Sequence, residues 1–325
     1  MKAAAPDSNS PQLHPYRGYF YIAASAVFWG ISATLGRAAF TGRLLPNSDI
    51  RSVNPLILSQ ARTTFSFLAV LLALLPVRGW KRLRLPLADV GRLLILGLGG
   101  VAASNYFYYV AIQRTNVATA IIVQYTAPVW VLVYMAVRGI EKPTLAKITA
   151  VFLAIAGIAL VIGLFGQRRP QLDLIGVGAS LIAAFSFAYY NIGGHSILAR
   201  YDRWTVLLYT TFAAAAFWMV INPPTKIAAA HYSATTWIFL VVFSMLSVLL
   251  PFSFYFAGLQ YLEPTKAIVA SCLEPVFTIL IAAVALQEVV KPMQGLGVAL
   301  VLGAILVVQR PTRGQPATPL VGPVD

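Results

Sequence analysis

Ten long apolar runs leave this chain few ways to fold. They lie at roughly 19–39, 55–77, 90–113, 118–138, 146–166, 173–198, 204–221, 234–259, 265–286 and 293–309. A helix needs about 20 apolar residues to cross the ~30 Å hydrocarbon core of a bilayer, and most of the runs reach that length. Lipid offers a backbone no hydrogen-bond partner, so a spanning segment closes its bonds within a helix or joins a barrel. Barrel strands alternate with period two, and these runs do not. A water-facing surface is excluded too, because only 10% of residues are charged, against about 25% in soluble domains. The expected fold is all-α and integral to a membrane.

The net charge of +14 does not point to nucleic acid. The bases sit in short clusters between apolar runs, as in membrane loops. The N-terminal tail, loops 78–92, 138–147 and 199–203, Lys266 and the C-terminal tail carry roughly twice as many as the opposite side. That bias places both termini in the cytoplasm. Segments 1–17 and 311–325 are polar and Pro-rich and read as disordered tails. The first run follows Lys2 and Arg17 like a signal peptide, but no cleavage site follows it, so it reads as a retained helix. The single cysteine, Cys272, supports neither a disulfide framework nor a zinc site.

The chain repeats itself. Residues 107–141 align without a gap on 254–288, matching Tyr108 to Tyr255, Gln113 to Gln260, Pro128 to Pro275 and Glu141 to Glu288. Each half, 18–166 and 173–310, then holds five spans. Five is odd, so the second copy enters the membrane inverted. Inverted repeats mark secondary transporters, whose substrate site lies near the midplane between the repeats.

The ordered set "AVFWGISATLGRA" (26–38), "QARTTFSFLAVLLALL" (60–75), "AIIVQYTAPVWVLVYMAVRGIEKPT" (120–144), "ASLIAAFSFAYYNIGG" (179–194) and "AIVASCLEPVFTILIAAVALQE" (267–288) resembles the EamA family of the drug/metabolite transporter superfamily. The resemblance covers residues 19–309. It implies a ten-helix inner-membrane carrier of small metabolites, often an exporter of amino acids. It implies a core of spans 3, 4, 8 and 9, with spans 1, 2, 6 and 7 moving around it. Spans 5 and 10 are then peripheral and in the family often support a homodimer.

Only Arg62 and Glu274 place a charge clearly within a span. Intramembrane charge costs about 2.5–3.5 kcal/mol by insertion scales, so such groups usually face a protein interior or a wet cavity. Glu274 is read as a site for a substrate amine or a coupling proton, against an acid that only fixes packing. Arg62 either snorkels to the surface or faces Glu274, which together suit a zwitterion. Pro128 and Pro275 recur at one depth and read as hinges. Gln124, Tyr125, Thr126 and Ser271 share that depth. Asn105 and Tyr109 lie four apart on one helix face and are favoured over Tyr106 and Tyr108, the later tyrosines reading as membrane-edge aromatics. Asn191 and His195 share a face near the membrane surface, where His195 is expected only to pack. Glu141 and Glu288 read as caps for the helices that follow them.

The function expected is a secondary carrier, coupled to protons or exchange. An organophosphate or nucleotide-sugar exchanger should bring several bases to mid-membrane. An intramembrane metalloenzyme needs clustered acids or a His-Glu-x-x-His helix, and His14, His195 and His231 are far apart. A channel should show rings of filter residues. No cofactor, metal or ATP site is expected.

Overall fold

The computed structural model describes residues 15–40, 53–115, 117–163, 173–287 and 289–310, and every regular element there is helical. Ten spans follow in order: α1 (Pro15–Phe40), α2 (Pro55–Leu83), α3 (Leu87–Arg114), α4 in two halves (α4a Val117–Gln124, α4b Ala127–Val137), and α5 (Leu145–Val161). The second half has α6 (Leu174–Leu198), α7 (Arg203–Ile221), α8 (Ala234–Leu259), α9 in two halves (α9a Pro264–Ser271, α9b Glu274–Ala285), and α10 (Pro292–Val308). Eight spans meet membrane length and apolarity, while α5 and α10 are shorter apolar helices of 17 residues. These are two inverted five-helix repeats. α1 begins and α10 ends on one face of the bundle, the terminal face. The opposite face is the far face.

Helix starts are written in the sequence. Asn54, Thr144, Asp173, Asp202 and Ser233 each accept a first-turn N–H at the start of α2, α5, α6, α7 and α8. Such caps satisfy amides that have no intrahelical partner. Proline, which lacks the N–H, opens α9a and α10. Pro15 does the same for α1, so residues 15–17, expected in the tail, are helical. The rest of both tails, Arg43, Arg51 and Glu288 lie outside the described residues.

The departures from ideal helix are paired. Gly97–Ala102 in α3 and Met245–Leu249 in α8 are π-helical, and 98–102 falls on 245–249 in the repeat alignment. The turns 125–126 and 272–273 that split α4 and α9 also coincide. A π segment admits an extra residue per turn and often marks a functional site. At the splits, Pro128 and Pro275 have no N–H for the carbonyls of Gln124 and Ser271, four residues earlier.

Packing follows the same symmetry. α1 lies on α8 and α9, α2 on α7, α3 on α6, and α5 on α10. The α5–α10 crossing is close: a Cβ on Gly157 would stand 2.8 Å from the Gly297 carbonyl oxygen, and one on Gly297 2.6 Å from that of Gly157. Small residues allow such approach where no hydrophobic force drives helices together.

Candidate central cavity and its closed end

A cavity of about 540 Å³ runs from mid-bundle toward the far face. Its deep wall includes Arg62 (α2), Asn105 and Tyr109 (α3), Gln124 and Pro128 (α4), and Ser271, Glu274 and Pro275 (α9). These eight residues, picked out separately in the sequence, therefore line one space. Val161, Ile162, Val289, Val290 and Gln294 line the part that reaches toward the far face.

Glu274 is the first residue of α9b, at the positive end of a half-helix. Its carboxyl is partly accessible from the cavity, and the Tyr125 phenol lies against it. The splits thus bring two half-helix N-termini and the carbonyls of Gln124 and Ser271 to one depth. The side chains there are only partly tied down. Gln124 Nε2 donates to Ser104 Oγ at 3.4 Å, Asn105 Nδ2 to the Val101 carbonyl at 2.7 Å, and Ser271 Oγ to the Ile268 carbonyl at 2.8 Å.

Arg62 does not snorkel. Its Nε donates to Ser247 Oγ at 2.9 Å and its Nη2 to the Ser247 carbonyl at 3.2 Å, with the guanidinium 5.8 Å from the Phe243 ring centre. The local reason lies in α8. Ser247 sits in the π segment, and Pro251 has no N–H to offer its carbonyl. Arg62 and Glu274 interact electrostatically across the cavity without forming a direct ion pair. The space between them can take a ligand carrying both signs of charge.

Other expectations need correction. Tyr108 lines the cavity, whereas Tyr106 packs edge-on to Phe217 in the α3–α7 contact. The π segment before them turns the helix out of simple 3.6 periodicity, so spacing alone selected too few tyrosines. Thr126 is not in the lining; it bonds the Val123 carbonyl at 2.7 Å and accepts from Trp130 Nε1 at 3.2 Å. Trp29, Phe187, Tyr190 and Phe252 also line the cavity. They come from three helices, α1, α6 and α8, and no local pattern in the sequence joins them.

The terminal end is closed by charge. Glu141 does not cap α5, the helix that follows it. Its carboxylate is 2.6 Å from Lys147 Nζ and accepts the Thr265 N–H of α9a at 3.4 Å. It therefore caps a helix of the other repeat. Lys147 Nζ also lies 2.9 Å from Glu263, which Lys266 approaches at 3.3 Å. Burial alone would raise the Glu263 carboxyl, but Lys147 and Lys266 hold it below its ordinary value. Nearby, Arg78 pairs with Asp202 at 2.6 Å. Burial opposes that charge too, yet Arg78 and Thr205 hold the Asp202 carboxyl low.

A ten-helix inverted repeat with split helices around a midplane cavity defines a membrane carrier rather than an enzyme. The model of the EamA-like transporter family matches residues 16–163 and again 174–310. The chain belongs to that family, and it is a multi-pass inner-membrane transporter of small molecules. It is 20% identical to an uncharacterized inner membrane transporter, YicL, of Salmonella typhimurium, over 91% of this chain and 96% of that one. It is 27% identical to the threonine/homoserine exporter RhtA of Escherichia coli K12, over 70% of each chain. A solved crystal structure shares the fold with a TM-score of 0.74 at 19% identity, covering 90% of this chain and 97% of that one.

Proposed function

We propose that the chain is a secondary exporter of small metabolites, amino acids or related amphipathic compounds, working by alternating access through the central cavity. The observation that carries this reading is the placement of Arg62 and Glu274, opposite charges from different helices, in one cavity beside both split helices. Arg62 would meet a substrate carboxylate. Glu274, with the carbonyls of Gln124 and Ser271, would meet an ammonium group or carry the coupling proton. Tyr108, Tyr109 and Tyr125 line the same space, and aromatic rings there would favour a cation. Pro128 and Pro275 would hinge the two repeats. The export direction is drawn from the RhtA relatives, and the cytoplasmic placement of both termini from the loop charges. An organophosphate or nucleotide-sugar exchanger is disfavoured, because Arg62 is the only base among the described lining residues.

The test is a thermal-shift screen of the purified protein against amino acids, sugars, phosphates and cationic drugs, followed by flux of the hit in proteoliposomes. Stabilisation by a zwitterion, lost in both Arg62→Gln and Glu274→Gln, is the expected result. Stabilisation by phosphates alone, or by zwitterions equally in the parent and both variants, would overturn the substrate assignment.

A further inference from the structure

Below the cavity floor, toward the terminal face, the protein is tightly packed but not apolar. Asn191 and His195 stand one turn apart on α6, next to the cavity-lining Phe187 and Tyr190. Tyr19 of α1 packs against the buried cluster that also holds Tyr190, Ile197 and Tyr255. Asn191 Nδ2 donates to the Tyr255 hydroxyl. Yet Asn191 Oδ1, His195 Nε2 and the Tyr19 hydroxyl are buried with no hydrogen-bond partner. Buried polar atoms are almost always satisfied, so three orphans in one column call for a reason. Packing alone is served as well by apolar side chains of the same size, without the desolvation cost.

Directly beyond the column lies the Glu141–Lys147–Glu263 network. It joins the start of α5 in the first repeat to the start of α9 in the second. Lys147 is its hub, bonded to one acid from each repeat and 3% exposed.

We propose that Asn191, His195 and Tyr19 line the terminal-face half of the transport path, dry and shut in this conformation, and that Lys147 is the latch that keeps it shut. In the alternate conformation the column would be wetted, and its orphaned atoms would find water or the polar groups of the substrate. The inference rests on the carrier reading, since only alternating access requires a second half-path.

The experiment introduces His195→Cys and, separately, Asn191→Cys into the full chain in lipid vesicles and measures reaction with a membrane-impermeant maleimide. The parent, whose only cysteine is the buried Cys272, gives the background. Ile182→Cys, on the exposed side of α6, is the lipid-facing control. Adding Lys147→Gln should raise labelling of both column positions on the order of tenfold, from the terminal face only, a size expected when a minor state becomes a major one. Glu263→Gln, which leaves Lys147 its bond to Glu141, should act in the same direction with a smaller factor and covers the case that Lys147→Gln does not fold. Lys147→Arg should restore slow labelling. Unchanged labelling in both latch variants, or labelling from the far face, overturns the proposal. Flux measured in the same vesicles separates the two claims. Flux with unchanged labelling removes the latch and keeps the carrier, whereas no flux of any compound removes the carrier reading itself.

Discussion

The two ends of the cavity are related by the internal repeat, yet they are built from different chemistry. At the terminal end Lys147 bridges Glu141 and Glu263, with Lys266 beside them. At the far end the residue aligned with Lys147 is Gln294, which donates to the Val161 carbonyl at 3.1 Å and accepts from the Lys291 N–H at 2.9 Å. Thr119 stands where Lys266 would be. Among the described residues, the terminal end is tied by ion pairs and the far end by neutral hydrogen bonds. An inverted repeat by itself would favour neither face. The charge difference supplies a bias, and charge-assisted bonds are roughly twice as strong as neutral ones.

The largest effect should come from removing the hub of the charged end. Lys147→Leu leaves two acids without their shared cation, and breaking a buried pair this way costs about 3–5 kcal/mol. Thermal unfolding in detergent should show a large drop, while the matching change Gln294→Leu should cost about 1–2 kcal/mol, the worth of two ordinary hydrogen bonds, one of them exposed. Equal losses would remove the asymmetry.

Much of this difference was legible only in part from sequence. The ten spans, the inverted repeat and the cavity residues were readable because hydropathy, Pro and intramembrane charge are local signals. Glu274 stood out because an acid beside a proline in an apolar run has few structural uses. The latch did not stand out. Glu141 and Lys147 are near in sequence, but Glu263 is in the other repeat, and only the fold brings the three together. The π segments were equally hidden: a one-residue bulge barely changes hydropathy, yet it decides which of Tyr106, Tyr108 and Tyr109 faces the cavity.

A smaller effect should separate the two prolines. Pro275→Ala restores an N–H toward the Ser271 carbonyl and straightens α9 beside Glu274. Pro128→Ala does the same in α4, where Ala127 replaces the acid. Flux should fall in both, and more for Pro275→Ala, by about tenfold for each ~1.4 kcal/mol added to the barrier. Equal flux in both variants and the parent would deny the hinge role. Outside the cavity, Gly157→Ala should destabilise by about 1–3 kcal/mol, because its Cβ would meet the Gly297 carbonyl. Gly295→Ala, whose Cβ meets open space, should be close to neutral in the same unfolding assay.

The smallest effect is that of pH on the charged end. Glu263 is held below its ordinary value. Its contribution is therefore present above the unfolded carboxylate pKa of about 4.3 and is lost as pH falls through the lower folded value. Parent stability should decline more steeply on acidification than that of Glu263→Gln. Parallel declines would mean that the pair contributes nothing to the closed end.

One measurement addresses alternating access itself. Thr278→Cys places a thiol in the cavity, one turn beyond Glu274, and His195→Cys places one in the closed column. Impermeant labelling of both, each with and without Lys147→Gln, reads the two half-paths together. A carrier requires opposite changes: Thr278→Cys should lose far-face reactivity as His195→Cys gains it at the terminal face. Simultaneous high reactivity at both positions would describe an open pore and contradict a cavity that serves one face at a time.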